Sequence, residues 1–90
     1  RVMYVRKSYQ IAAGASQAAT DIEGLVSWMS LYAKGADIRF NVGGTATQAA
    51  TSFFIGSGER LNLRIPYPGV SVSAIRAAST DGTLEIIEYS

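Results

Sequence analysis

Ile38-Arg39-Phe40-Asn41-Val42 alternates strictly between apolar and polar residues, and Leu61-Asn62-Leu63-Arg64-Ile65 repeats the pattern. A period of two is the signature of a half-buried β-strand, because successive side chains leave opposite faces. Gly43-Gly44 stops the first run and Pro66 the second, since proline cannot donate to a sheet ladder. Phe53-Phe54-Ile55 precedes Gly56-Ser57-Gly58-Glu59, a loop that predicts a hairpin to the Leu61 strand. Pro68-Gly69 reads as a turn. Val70 to Ala77 reads as a strand with a bulge near Ala74, where the apolar set shifts to Ile75. Asp81-Gly82 is a strong hairpin signal, followed by a last strand, Thr83 to Tyr89. In that strand Ile87 and Tyr89 leave the register of Leu84 and Ile86, which predicts a bulge or burial on both faces.

Working back toward the start, Lys34-Gly35 stands at hairpin distance between the Ile38 strand and Val26 to Tyr32. Residues 21–33 carry two patterns. Ile22, Leu25, Val26, Met29 and Tyr32 have helical spacing, and Thr20 with Glu23 resembles a capping box. Gly24 and the short aromatic run favour strand, which is the reading adopted, with a short helix within 21–33 as the alternative. Ala12 to Thr20 reads as a loop, and Arg1 to about Ile11 as a strand or an extended arm. The expectation is an all-β chain, a small antiparallel β-sandwich or barrel of 6–7 strands. It is one domain over 1–90, with residues 1–11 as strand or arm and 22–90 as the sandwich.

The chain has 90 residues, 48% hydrophobic and 17% charged. A domain of this size has a thin core. The low charge points to surface covered in an assembly. Cys and His are both absent, so disulfide staples are ruled out and oligomerisation is the expected substitute. The same absence removes the commonest nucleophile, the commonest general base and most ligands for zinc, copper or iron. No Gly-x-Ser-x-Gly elbow occurs, and Gly56-Ser57-Gly58 lacks the lysine and helix of a phosphate cradle. The carboxylates Asp21, Glu23, Asp37, Glu59, Asp81, Glu85 and Glu88 do not converge. Glu85 and Glu88, three apart on a strand, fall on opposite faces. No calcium-loop pattern is present. The expectation is binding without enzymatic activity, and no catalytic, cofactor-binding or metal-binding residue is nominated.

A net charge of +1 offers no footprint for nucleic acid. No stretch approaches the length of a membrane-spanning helix, and no signal-peptide pattern opens the sequence. Trp28, Phe40, Phe53 and Phe54 read as core. Tyr4, Tyr9, Tyr32, Tyr67 and Tyr89 read either as straddling core and surface or as a binding platform. Arg39, Arg60 and Arg64 read as an exposed, solvated face. Arg1-Val2-Met3-Tyr4-Val5-Arg6-Lys7-Ser8-Tyr9-Gln10 mixes basic, aromatic and apolar residues ahead of the loose Ala12 to Thr20 stretch. It is either an arm that adds a strand to a neighbour or an ordinary first strand. Arg1, Tyr4, Arg6, Lys7 and Tyr9 are the candidate partner contacts.

Three segments carry a resemblance: Leu31 to Phe40 as strand, small turn and strand; Phe54 to Leu63 as apolar pair, glycine turn, glutamate and alternating strand; Val70 to Ala77 with Asp81 to Ile86 as a final hairpin. Together, from about Leu31 to Tyr89, the chain resembles small β-sandwich virion proteins of tailed bacteriophages. The resemblance implies a capsid decoration or cement protein on the capsid exterior that binds the major capsid protein. It also implies a homo-oligomer, trimer before dimer, with no cofactor, nucleic acid or membrane partner. A tail, baseplate or fibre module recognising a host glycan is the alternative.

Overall fold

The computed structural model describes residues 4–90, and every regular element in them is a strand. There are eight: β1 (Val5–Ala13), β2 (Ala18–Asp21), β3 (Trp28–Lys34), β4 (Ile38–Val42), β5 (Phe53–Ile55), β6 (Arg60–Arg64), β7 (Ser71–Arg76) and β8 (Gly82–Tyr89). They form two antiparallel four-stranded sheets, ordered β1-β8-β3-β6 (sheet A) and β2-β7-β4-β5 (sheet B). The pairs β1–β8, β2–β7, β3–β6 and β4–β5 nest inside one another. The chain is thus one long hairpin, with its tip between β4 and β5, rolled until β3 meets β8 and β4 meets β7. This is the jelly-roll arrangement of a β-sandwich.

The core lies between the sheets. Met29, Leu31 and Ala33 of β3 and Leu84 and Ile86 of β8 face Ile38 and Phe40 of β4 and Val72 and Ala74 of β7. Among the described residues Phe40 is the largest fully buried side chain, as its place in the alternating run predicts. The Pro68-Gly69 turn forms as expected. Gly69 takes φ +81° and donates to the Ile22 carbonyl at 2.8 Å.

The expected hairpins are replaced by corners. β3 and β4, β5 and β6, and β7 and β8 lie in opposite sheets. Three extended residues span about 10 Å, which is also the distance between packed sheets. A linker such as Gly35-Ala36-Asp37 therefore fits a corner as well as a hairpin. Gly82 shows the difference. Its φ is not positive, as a tight Asp-Gly hairpin would require. It is glycine because a Cβ would stand 2.9 Å from the Lys34 carbonyl oxygen at the β3–β4 corner.

Residues 21–33 contain no helix. Gly24 sits at φ +70° against Pro68, outside the right-handed helical region. The Ile22 amide is bonded to the Val70 carbonyl. Glu23 meets Arg6 and Lys7 and caps nothing. Ala12 and Ala13 extend β1, and Ala18–Asp21 forms β2 on the edge of sheet B. That edge is held by the backbone ladder to β7, so its alanines carry no strand signal. The register through β7 and β8 against β4 and β3 is continuous, without the expected bulges. The register shift lies in β1, between Val5 and Lys7.

Candidate interaction surfaces

Arg1 lies outside the described residues. Tyr4 is exposed and exchanges two backbone hydrogen bonds with Ser90, both at 3.1 Å. Arg6, Lys7 and Tyr9 lie on β1, which pairs with β8 of its own chain along its length. Within the described residues, the arm is therefore the first strand of its own sandwich. The shift between Val5 and Lys7 brings two consecutive cations to one acid. Arg6 meets Glu23 at 2.5 Å and Lys7 meets it at 2.7 Å. Tyr9 donates its hydroxyl to Glu88 and accepts the Glu23 amide at 3.0 Å. Glu88 has no solvent exposure, and it also accepts the Gly24 amide at 2.9 Å and stands 3.6 Å from Arg6.

This network sets the local charge states. Hydrogen bonds from Lys7 and Arg6 hold the Glu23 carboxyl below its ordinary value, and those bonds raise both cations. Burial and then the bond to Glu88 push the Tyr9 phenol up. Arg6, Lys7 and Tyr9 are thus brought together, but mainly with one another and with two acids of the same chain. They tie β1 to the β2–β3 connection and to the end of β8.

The two outer faces of the sandwich differ. On sheet B the 43–52 connection folds back over the strands. Ser73 bonds the Gly44 carbonyl at 2.6 Å, Asn41 bonds the Thr45 carbonyl at 3.0 Å, and Arg39 bonds the Ser52 carbonyl at 3.1 Å. Ala46 is buried beneath it. On sheet A, Trp28, Ser30 and Tyr32 alternate with the core residues of β3 and so point outward. Arg64, Trp28 and Tyr89 form one cross-strand row, and Arg60, Tyr32 and Glu85 another. The Arg64 guanidinium lies 5.5 Å from the Trp28 ring centroid and that of Arg60 5.0 Å from Tyr32. Arg60 also bonds the Ser30 hydroxyl at 2.8 Å.

Trp28 is therefore an outward residue, not core. The Trp28, Ser30, Tyr32 alternation carried that signal, but its aromatic content reads equally as buried surface. Phe53 and Phe54 are 60% and 49% exposed. Phe53 pairs with Phe40 and Phe54 with Arg39 on the edge strand β5, where among the described residues no further strand covers them. Arg39 stacks on Phe54 on sheet B and does not join Arg60 and Arg64. Tyr32 and Tyr89 share the face of Trp28, while Tyr67 is exposed on the β6–β7 connection.

The carboxylates do not gather. A shallow groove beside the start of β8 contains Asp81 and Glu85, but Asp81 is paired with Arg76 at 2.9 Å, and Glu85 faces Lys34 at 3.9 Å. Among the described residues no three Asp or Glu side chains are grouped to hold a metal ion. The sequence matches no protein-family model and no curated protein.

Proposed function

We propose that this chain is a structural virion protein, a capsid decoration or cement protein of a tailed phage that binds the major capsid protein and stabilises the shell. The observation that carries this reading is the asymmetry of the sandwich. Sheet B is covered by the chain's own 43–52 connection, whereas among the described residues no connection crosses the outer face of sheet A, where Trp28, Tyr32 and Tyr89 stand partly buried. Phe53 and Leu61 are also exposed, on the adjacent edges β5 and β6. Apolar surface left open on a thin sandwich suits a module covered in an assembly. The jelly roll is common among capsid domains, and this analogy of fold supports the reading. Many symmetric copies, each with a modest interface, would together stiffen a shell. The test is to add the purified chain to matching capsids lacking it. Saturable binding that raises the shell's disruption temperature is expected. A chain that stays monomeric and leaves those capsids bare overturns the proposal.

A second reading, a tail or fibre module for a host glycan, draws on the same aromatic face, because sugars stack on exposed rings and lectin domains use this topology too. Glycan-array binding lost on Trp28→Ala, with no capsid association, would favour it.

A further inference from the structure

β6 and β1 are the two edges of sheet A, and among the described residues no strand pairs with the outer side of β6. The Ile65 amide bonds the Ser27 carbonyl at 2.8 Å, and the Ala33 amide bonds the Glu59 carbonyl at 3.2 Å. Backbone groups of an antiparallel strand alternate between its two sides. Glu59, Leu61, Leu63 and Ile65 therefore turn theirs toward β3, and Arg60, Asn62 and Arg64 turn theirs to the open edge. The side chains of those same three residues are exposed and stand on the outer face. Among the described residues neither Arg60 nor Arg64 enters a salt bridge, and each is held against a ring of β3. On the inner side of the same edge, Leu61 and, on β5, Phe53 remain exposed.

We propose that the β6 edge receives an added strand from a partner protein whose residues alternate acidic and apolar. Its backbone would pair with Arg60, Asn62 and Arg64, as in strand addition generally. Its acidic side chains would meet the two guanidiniums, which are preset to accept carboxylates in a forked geometry. The intervening apolar residues would cover Leu61 and Phe53. The charge pattern commits the occupant: two unneutralised arginines two residues apart from a central Asn match carboxylates placed at alternate positions of a facing strand, since both strands share one repeat. The partner chemistry follows from this edge alone and holds whether or not that partner is a capsid protein.

The test uses a short peptide with the core Glu-Val-Thr-Val-Glu, its counterpart with Lys for Glu, and a version N-methylated on alternate residues so that it cannot pair. Amide exchange is followed by NMR on the whole chain. The Glu peptide is expected to bind and to protect the amides of Arg60, Asn62 and Arg64. The Lys and N-methylated peptides should fail, and the R60E/R64E double variant should lose about tenfold or more in affinity. Asn62→Pro should also abolish binding while preserving the fold, because that amide does not bond to β3. Should it unfold, the N-methylated peptide makes the same test on the unaltered protein. Equal binding by the Lys peptide, binding that survives N-methylation, or no binding at millimolar peptide would overturn the proposal. Protection of these amides that rises with chain concentration alone would assign the edge to a second copy instead. None of these measurements needs a capsid, so failure here and failure of the virion reading are separate results.

Discussion

Tyr9 on the first strand donates its hydroxyl to Glu88 near the end of the last, and that carboxylate has no exposure to solvent. An isolated buried carboxylate would cost several kcal/mol. Here the tyrosine, the Gly24 amide and the nearby Arg6 share its charge. The contact joins residues close to the two ends of the chain, and it closes the rolled sheet where β1 lies on the edge.

Tyr9→Phe should therefore destabilise the fold by about 1.5–3 kcal/mol, the net worth of a hydrogen bond to a charged acceptor, since the ring keeps its packing. Glu88→Ala should cost more, about 3–5 kcal/mol, because it strands the Gly24 amide and opens a cavity. Urea unfolding with an unchanged slope and a lowered midpoint is the expected readout. A Glu88→Ala midpoint equal to that of the parent would show that the network contributes nothing.

Stability should fall on the acid side through Glu23. Lys7 and then Arg6 hold its carboxyl below the ordinary range by hydrogen bonding. A folded value below the unfolded one means that the contribution is fully present above the ordinary carboxylate value. It is lost as the pH drops through the folded value. The raised values of Arg6 and Lys7 act in the opposite sense. Their contribution is complete at neutral pH and is lost only in strong alkali. Melting temperatures of the parent and Glu23→Gln should therefore differ most near neutrality and converge as the pH falls below the ordinary carboxylate value of about 4.3. Parallel curves over that window would contradict the assignment.

These contacts mark the boundary of what the sequence discloses. The alternation in Ile38–Val42, the strand at Leu61, the Pro68-Gly69 turn and the opposite faces of Glu85 and Glu88 are local properties and appear as read, but Leu61 is left exposed because β6 is an edge and Ile65 lies beyond the strand. Sheet membership is not local. Linkers of three to five residues serve corners and hairpins alike, so the nesting of β1 with β8 and β2 with β7 has no signature in the linkers themselves. β2 is nearly invisible because Ala18-Ala19 carries no β-branched side chain before Thr20. At the candidate surface, the grouping of Arg6, Lys7 and Tyr9 was legible as composition. Glu23 and Glu88 as their partners were not, since they lie 14–17 and 79–82 residues away by position in the chain.

Two glycines with positive φ should respond differently to alanine. Gly58, at φ +84°, has nothing within 4 Å of a built Cβ, so Gly58→Ala should cost about 1–2 kcal/mol, the left-handed penalty alone. Gly24, at φ +70°, would bring its Cβ to 2.9 Å from the Pro68 Cα and 3.2 Å from the Ile65 side chain. Gly24→Ala should add a backbone clash to that penalty and disturb the amide that holds Glu88. Thermal melts of the two variants should separate clearly, with Gly24→Ala the lower. Equal losses would mean that the β2–β3 connection yields as freely as an open turn.

Trp28 provides an internal probe of the open face, because it is the single tryptophan of the chain. Its ring stands outward, partly buried, with the Arg64 guanidinium 5.5 Å from the centroid. Arg64→Ala should shift the native emission to the red by uncovering the ring, while costing only about 0.5–1 kcal/mol in stability, the scale of an exposed cation–π contact. Leu31→Ala, one turn of the pleat away on the inward face, should do the reverse. It should lower stability by about 2–5 kcal/mol and leave native emission nearly unchanged, since Leu31 and Trp28 stand on opposite faces of β3. A red shift from Leu31→Ala together with none from Arg64→Ala would place Trp28 inside the sandwich and remove the aromatic face from sheet A.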